Sequence, residues 1–213
     1  MTKVVVVDYG VGNLFSVSRA LEKVGATVVF SDSPKIIKQA DSLLLPGVGS
    51  FEHGMHELKR RGLDDALKEY ALNERPFLGI CLGMQMMFDH SDEFGEHDGL
   101  GLLPGKVTAI PKLGTDGLPH KIPHIGWSPL LLPTARENWS ESILEYTLPT
   151  ANVYFVHSFT ALPDNSKHRL ADCYYDGCLI SAAVQSGNKF GCQFHPEKSG
   201  KVGLDILKRF IEL

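Results

Sequence analysis

The first half of the chain alternates short apolar runs with segments of helical periodicity, and this alternation constrains the fold more than any other feature. Between Asn13 and Val24, for example, Leu14, Val17 and Leu21 recur at the spacing that places them on one face of a helix. The predicted strands cover residues 4–7, 27–30, 43–45 and 77–80, and the predicted helices cover 13–24, 34–39, 51–72 with a break near Gly62, and 84–88. Because strands separated by helices pair through crossovers, we expect an α/β fold with a doubly wound, mostly parallel central sheet.

The second half of the chain is richer in strands and turns. Apolar runs predict strands at residues 107–110, 153–159, 170–174, 179–184 and 190–194, and a closing helix at 201–212. Successive strands without intervening helices favour hairpins, so we expect an additional antiparallel portion beside the parallel sheet. No internal repeat or low-complexity tract marks a boundary, and we expect residues 1–213 to form a single domain.

Composition argues against several functional classes. The 213 residues are 43% hydrophobic, enough for a sizeable core, and the formal net charge of -4 with a pI near 6.1 argues against binding to nucleic acid or to an anionic membrane. The apolar run at residues 4–7 is too short for a signal peptide or a membrane span. The four cysteines lack the paired spacing of a zinc site and are few for a disulfide scaffold. We therefore expect reduced thiols and a cytoplasmic location.

A cysteine framed by glycines stands at the end of the fourth predicted strand, at residues 79–83 (Gly-Ile-Cys-Leu-Gly). Glycine two positions away on each side suits a sharp strand-to-helix turn, since it allows neighbouring backbone to approach closely. Cys81 would then lie at a helix N-terminus, where the helix dipole and a nearby imidazole lower the pKa of a thiol and favour the nucleophilic thiolate. Taken alone, the residue could equally be a small buried hydrophobe.

The tripeptide His195-Pro196-Glu197 follows the last predicted strand. On an extended segment, side chains two positions apart point to the same face, so Glu197 could hold one ring nitrogen of His195 and stabilise the imidazolium. By itself this tripeptide is also compatible with a surface turn. Because ligands of such sheets bind beyond the carboxyl ends of the strands, the tripeptide and Cys81 together predict a cysteine nucleophile with its base and its orienting acid.

Two glycine-rich loops follow the first and third predicted strands. Residues 46–49 (Pro-Gly-Val-Gly) can turn backbone N–H groups toward a developing oxyanion. Residues 10–12 (Gly-Val-Gly) suggest a dinucleotide-binding loop instead, but Phe15 stands where that pattern requires its third glycine. Dinucleotide binding is therefore not favoured.

These motifs resemble those of the class I, triad-type glutamine amidotransferases, and the likeness extends from about residue 3 to residue 212. Further segments that show this likeness are residues 8–14 (Asp-Tyr-Gly-Val-Gly-Asn-Leu), 45–51 (Leu-Pro-Gly-Val-Gly-Ser-Phe), 123–127 (Pro-His-Ile-Gly-Trp), 154–158 (Tyr-Phe-Val-His-Ser) and 195–200 (His-Pro-Glu-Lys-Ser-Gly). These segments are similar to the amidotransferase subunits of imidazole glycerol phosphate synthases. The resemblance implies the flavodoxin-like α/β fold of that family, and neither a metal nor a cofactor.

The resemblance also implies roles for individual residues. Cys81 would attack the side-chain amide of glutamine, His195 would protonate the departing ammonia and then activate water, and Glu197 would orient His195. The implied oxyanion residues are Gly47, Val48, Gly49 and Leu82, and the implied glutamine-binding residues are Gly49, Gln85, His157, Ser158 and Phe159. The residues implied at a partner interface or its gate are Asn13, His124, Trp127 and Lys198.

The implied partner is a cyclase subunit, a (β/α)₈ barrel that receives the ammonia through a channel and makes imidazole glycerol phosphate and AICAR in histidine biosynthesis. Three alternatives stay open. A paralogous glutaminase could feed another synthase, such as one for a cell-surface sugar, because this chain has Ser128 where the family pattern usually continues with asparagine. A stand-alone cysteine hydrolase would turn over without a partner, and a non-catalytic interaction module would keep only the scaffold.

Overall fold

The computed structural model describes residues 2–213. Its strands are β1 (Lys3–Val7), β2 (Thr27–Ser31), β3 (Ser42–Leu45), β4 (Phe77–Ile80), β5 (Phe88–Ser91), β6 (His97–Asp98), β7 (Leu103–Ala109), β8 (His124–Pro129), β9 (Asn152–His157), β10 (Phe159–Pro163), β11 (Arg169–Tyr175), β12 (Cys178–Ser186) and β13 (Lys189–Cys192). Its helices are α1 (Leu14–Lys23), α2 (Pro34–Lys38), α3 (Phe51–Arg60), α4 (Leu63–Ala71), α5 (Leu82–Gln85) and α6 (Gly200–Ile211), with 3₁₀ turns at Ser166–His168 and Pro196–Lys198.

The central sheet contains seven strands in the order β11-β12-β13-β4-β3-β1-β2. The strands from β13 to β2 pair in parallel, whereas β12 and β11 extend the sheet beyond β13 as antiparallel strands. The prediction of a mostly parallel central sheet with an antiparallel portion is therefore confirmed. Its antiparallel strands follow one another through short turns, which parallel pairing does not allow.

Core side chains cover both faces of this sheet, because alternate residues of a strand point in opposite directions. In β1, Val4 and Val6 belong to the core layer that includes Phe210 of α6, whereas Val5 and Val7 belong to the layer under α3 and α4. Strands buried on both faces are apolar throughout, and this explains the short continuous apolar runs of the sequence. Within residues 2–213, no helix is long and apolar enough to cross a membrane.

The predicted break in the long helical segment is also confirmed. Helix α3 ends at Arg60 and α4 begins at Leu63, with Gly62 between them at a φ of 64°. This left-handed conformation is readily adopted by glycine and strains residues that carry a Cβ. A single glycine therefore divides the segment into two helices that pack on the same face of the sheet.

Two predicted elements differ from the structure. The helix predicted at 84–88 ends early: α5 stops at Gln85, and the carbonyl oxygens of Met86 and Met87 accept hydrogen bonds from backbone amides between Leu100 and Leu103. The strand predicted at 153–159 is divided at Ser158 into β9, which pairs with β8, and β10, which pairs with β7. In both places contacts with distant backbone override the local pattern. Strands β5, β6 and β8 were not predicted.

Candidate active site

Three neighbouring strands of the central sheet end at one place. Strands β3, β4 and β13 are adjacent and parallel, and their last residues are Leu45, Ile80 and Cys192. The backbone N–H of Cys81 donates to the carbonyl of Cys192 at 2.7 Å, so the nucleophile turn stays bonded to the neighbouring strand. The loop at residues 46–49, the turn that contains Cys81 and the loop that contains His195 therefore converge at this edge of the sheet.

Cys81 occupies a strained turn between β4 and α5. Its φ of 53° and ψ of -111° are outside the common regions for a residue with a Cβ, as in the nucleophile elbows of α/β hydrolases. The flanking glycines permit this turn: a Cβ on Gly83 would overlap the carbonyl oxygen of Leu45, and one on Gly79 would lie 2.8 Å from the carbonyl oxygen of Gly83. Cys81 is thereby placed at the start of α5 with 8% of its surface exposed.

His195 and Glu197 form a buried pair beside this turn. His195 Nδ1 lies 2.8 Å from Glu197 Oε1, and the two side chains are 3% and 1% exposed. The expected contact is present, but its expected cause is wrong: β13 ends before His195, and the 3₁₀ turn Pro196–Lys198, not an extended segment, brings the carboxylate to the ring. Because Nδ1 faces the carboxylate, Nε2 is the nitrogen available to reactants, and it is buried without a hydrogen-bond partner.

The backbone around His195 is held from two sides. Its N–H donates to the carbonyl of Tyr154 in β9 at 2.9 Å, and its own carbonyl accepts a hydrogen bond from Ser199 Oγ at 2.7 Å. Ser199 Oγ also accepts from the N–H of Tyr154 at 3.0 Å. These bonds fix the backbone of His195 relative to β9, and the bond from Nδ1 to Glu197 orients the ring.

Electrostatics favour a charged imidazole at this position. Burial lowers the pKa of His195, but the interactions of the ring with the neighbouring Cys81 side chain and with the Glu197 carboxylate outweigh burial and raise the pKa to about 9. Cys192 has the opposite character, because complete burial and then the charge of Glu197 raise the pKa of its thiol far above the ordinary range. All four cysteines are free thiols, as expected. His195 therefore carries a proton at neutral pH, beside the Cys81 side chain.

A cavity of about 450 Å³ opens in front of Cys81 and His195, within the usual size range of small-molecule sites. Its lining includes seven further residues that the sequence analysis assigned to the oxyanion or glutamine sites, namely Val48, Gly49, Leu82, Gln85, His157, Ser158 and Phe159. Gly47 is buried behind this lining, where a Cβ would lie 2.6 Å from the hydroxyl of Tyr9. That hydroxyl donates to the carbonyl of Pro46 at 2.8 Å and so holds the loop in place.

Two polar residues at this site, Glu93 and Gln193, were not predicted from the sequence. Glu93 lines the cavity, and its Oε2 accepts a 2.6 Å hydrogen bond from the N–H of Phe51 at the start of α3. Gln193 is completely buried, and its Nε2 lies 3.8 Å from Cys81 Sγ. Glu93 belongs to no motif that could have revealed it, whereas Gln193 could have been found from its position two residues before His195.

The four residues predicted at a partner surface fall into two groups. Trp127 is 56% exposed, Lys198 is exposed, and Asn13 caps α1 by accepting a 3.3 Å hydrogen bond from the N–H of Ser16. His124 forms the second group: it is only 1% exposed and stacks on aromatic rings in the interior, so its side chain does not lie on the surface of this chain.

His124 instead belongs to a buried chain of hydrogen bonds. His124 Nδ1 lies 3.0 Å from His157 Nε2, and His124 Nε2 lies 3.0 Å from Ser128 Oγ. Burial lowers the pKa of His124 to about 4 and that of His157 to about 3, so both rings are neutral near pH 7. His157 Nδ1 donates to the carbonyl of Phe159 at 2.8 Å, and this bond fixes which ring nitrogens carry protons along the chain.

Comparisons with known proteins agree with this geometry. The family model described as "Glutamine amidotransferase class-I" matches residues 5–213. The chain is 51% identical over 213 residues to "Imidazole glycerol phosphate synthase subunit HisH 1" of Legionella pneumophila (strain Lens), covering 100% of both chains. It is 44% identical over 211 residues to "Imidazole glycerol phosphate synthase subunit HisH" of Geobacillus thermodenitrificans, covering 99% of this chain and 96% of that one.

Solved structures share the fold at much lower identity. A crystal structure of a glutamine amidotransferase aligns with a TM-score of 0.73 at 16% identity and covers 98% of this chain and 97% of its own. The structure of PurLQS from Thermotoga maritima aligns with a TM-score of 0.68 at 19% identity and covers 99% of this chain and 98% of its own. The chain belongs to the class I glutamine amidotransferase family and, within it, to the HisH subunits of imidazole glycerol phosphate synthase.

Proposed function

We propose that Cys81, His195 and Glu197 hydrolyse glutamine to glutamate and ammonia, which is the glutaminase half-reaction expected of a HisH subunit. The observation that carries this proposal is the arrangement of the three side chains. Cys81 is exposed to the cavity by a strained turn, and the buried His195–Glu197 pair, 2.8 Å apart, keeps an unpartnered Nε2 beside it. A thiolate and an imidazolium in one cavity provide the nucleophile and the proton that acyl transfer from an amide requires.

The reaction proceeds through a thioester. The Cys81 thiolate adds to the carboxamide carbon of glutamine, and backbone N–H groups of the loop containing Gly49 and of Leu82 stabilise the oxyanion. His195 Nε2 gives its proton to the departing nitrogen, ammonia leaves, and the γ-glutamyl thioester remains. Neutral His195 then takes a proton from water as the oxygen attacks the thioester. Collapse gives glutamate and restores the thiolate and the imidazolium, while Glu197 stabilises the ring whenever it is charged.

The polar lining of the cavity suits the amino-acid portion of glutamine. Glu93 offers a carboxylate to an α-ammonium group and is itself fixed by the N–H of Phe51. Gln85 is held by donating to the carbonyl of Phe159 at 3.2 Å, which leaves its own oxygen available to a ligand. Fixed polar groups of this kind orient a small substrate without the cost of ordering flexible side chains.

The ammonia requires an acceptor on another protein. We propose that the cyclase subunit HisF, a (β/α)₈ barrel, docks on this chain, receives the ammonia through a channel and makes imidazole glycerol phosphate and AICAR in the cytoplasm. Exposed apolar side chains support a docking surface near the predicted interface residues: Phe15 beside Asn13 is 70% exposed, and Ile125 beside Trp127 is 58% exposed. The names of the relatives, at 44–51% identity, favour the histidine pathway over an unrelated acceptor.

Glutamate release from glutamine tests the proposal. The purified chain should be slow alone and strongly stimulated by the cyclase subunit with its ribulosyl-phosphate ligand, because ammonia released without an acceptor is wasted. Cys81→Ala should abolish the reaction, and Cys178→Ala, which removes a buried thiol outside the cavity, should retain it. Equal activity with and without the cyclase would contradict the partner, and activity retained in Cys81→Ala would contradict the nucleophile.

A further inference from the structure

Gln193 lies against the proposed nucleophile without having a role in the mechanism above. It follows β13, is completely buried, and its backbone N–H donates to the carbonyl of Ala182 in the next strand at 2.9 Å. Its side chain contacts two site residues: Nε2 lies 3.8 Å from Cys81 Sγ, and Oε1 accepts a 3.0 Å hydrogen bond from Gln85 Nε2. An amide N–H therefore faces the sulfur from a position that solvent cannot reach.

The direction of this N–H follows from a backbone carbonyl. The amide nitrogen of Gln85 lies 3.2 Å from the carbonyl oxygen of Phe159, which can only accept, so Nε2 of Gln85 must be the atom on that side. The same nitrogen approaches Gln193, whose oxygen must then face Gln85 and whose nitrogen must face Cys81. Reversing the Gln193 amide would put two N–H groups together and an oxygen against a thiolate, and each of these contacts is unfavourable.

We propose that Gln193 is a further catalytic residue, whose amide N–H stabilises the thiolate of Cys81. A thiolate is a stronger acceptor than a thiol, so a donor fixed at the sulfur favours the charged form. The donor acts twice in one turnover, first by increasing the reactive fraction of Cys81 and later by stabilising the thiolate that leaves when water cleaves the thioester. This role rests on the proposed function, in which Cys81 is the nucleophile.

Alkylation of Cys81 by iodoacetamide as a function of pH measures this stabilisation without glutamine. Gln193→Met keeps a similar volume and removes the donor, so the midpoint of the alkylation profile should rise by about one pH unit, equivalent to about 1.4 kcal/mol. Mass spectrometry of the Cys81 peptide separates this thiol from the three other cysteines. Gln185→Met is the matched control, because the Gln185 amide donates to the carbonyls of Glu141 and Gly187 and not to Cys81. Its midpoint should be unchanged.

An unchanged midpoint in a folded Gln193→Met protein would overturn the proposal. If that variant does not fold by circular dichroism, Gln193→Asn replaces it, since the shorter side chain keeps the amide but cannot reach Sγ, and its midpoint should rise in the same way. The glutaminase assay is independent of this measurement. A wild-type chain that releases no glutamate with its cyclase partner contradicts the proposed function, whereas the alkylation midpoint alone decides whether Gln193 stabilises the thiolate.

Discussion

Replacing Glu197 by glutamine removes one charge from the buried pair and keeps its shape. The glutamine oxygen can still accept from His195 Nδ1, so the ring should keep its orientation while losing the carboxylate 2.8 Å away. The imidazolium should then lose its proton at a lower pH. Because the proposed mechanism needs protonated His195 to expel ammonia, the alkaline limb of the pH profile of kcat/KM for glutamine should shift toward neutrality.

The size of this shift follows from the environment of His195. The rise of its pKa from 6.5 to about 9 corresponds to about 3 kcal/mol of net stabilisation of the charged ring. This net value remains after burial has opposed the charge, and the Cys81 thiolate and the Glu197 carboxylate are the two groups that supply it. If they contribute comparably, Glu197→Gln removes at least about half of this stabilisation, and the alkaline limb moves from near pH 9 to below about pH 8.

The assay measures kcat/KM between pH 6 and 10 in the complex with the cyclase subunit. Glu212→Gln is a matched control, because Glu212 pairs with Lys208 at 3.9 Å on an exposed part of the chain and should leave the profile unchanged. An alkaline limb that stays near pH 9 in Glu197→Gln would refute the reasoning, since the charge of Glu197 would then not sustain the imidazolium. A uniform loss of activity at every pH, with the limb unmoved, would indicate a purely structural role.

Three further outcomes are expected. Because the pKa of His195 is raised in the folded chain, its charge stabilises the fold fully below about pH 6.5, and this contribution is lost as the pH rises to about 9. The difference in unfolding temperature between the wild-type chain and His195→Gln should therefore fall across that pH range. Gly83→Ala should lower the unfolding free energy in urea by about 3 kcal/mol or more, because its Cβ would overlap the carbonyl of Leu45, which is backbone and cannot move aside. Ser128→Ala should cost about 1–3 kcal/mol in the same assay by leaving buried His124 Nε2 without a donor, and a neutral result would contradict the hydrogen-bond chain.

Most of the fold follows from local patterns of the sequence. The apolar run Phe77–Ile80 forms a strand with the predicted bounds, and Gly62 breaks the helical segment where a left-handed residue is needed. The end of α5 does not follow in this way. Met86 and Met87 are compatible with helix, but their carbonyls bond to a segment more than ten residues away, and periodicity within a window carries no information about that contact.

The same distinction between local patterns and distant contacts applies to the residues of the active site. Cys81 and His195 are found from sequence because each is part of a short motif with its own backbone requirement. Glu93 has no such motif, and Gln193 is marked only by its position two residues before His195, because the contacts of both depend on how distant elements meet. Gln193 approaches Cys81 only because β13 and β4 are paired with Cys192 opposite Ile80, so the residues just beyond each strand end lie side by side.

The interruption of the predicted strand at Ser158 affects the hydrogen bonding of the active site. Phe159 begins β10, and its carbonyl accepts from His157 on one side and from Gln85 on the other. The first bond fixes the protonated nitrogens of His157 and His124, and the second fixes the amides of Gln85 and Gln193. One backbone acceptor thus sets the direction of both hydrogen-bond chains.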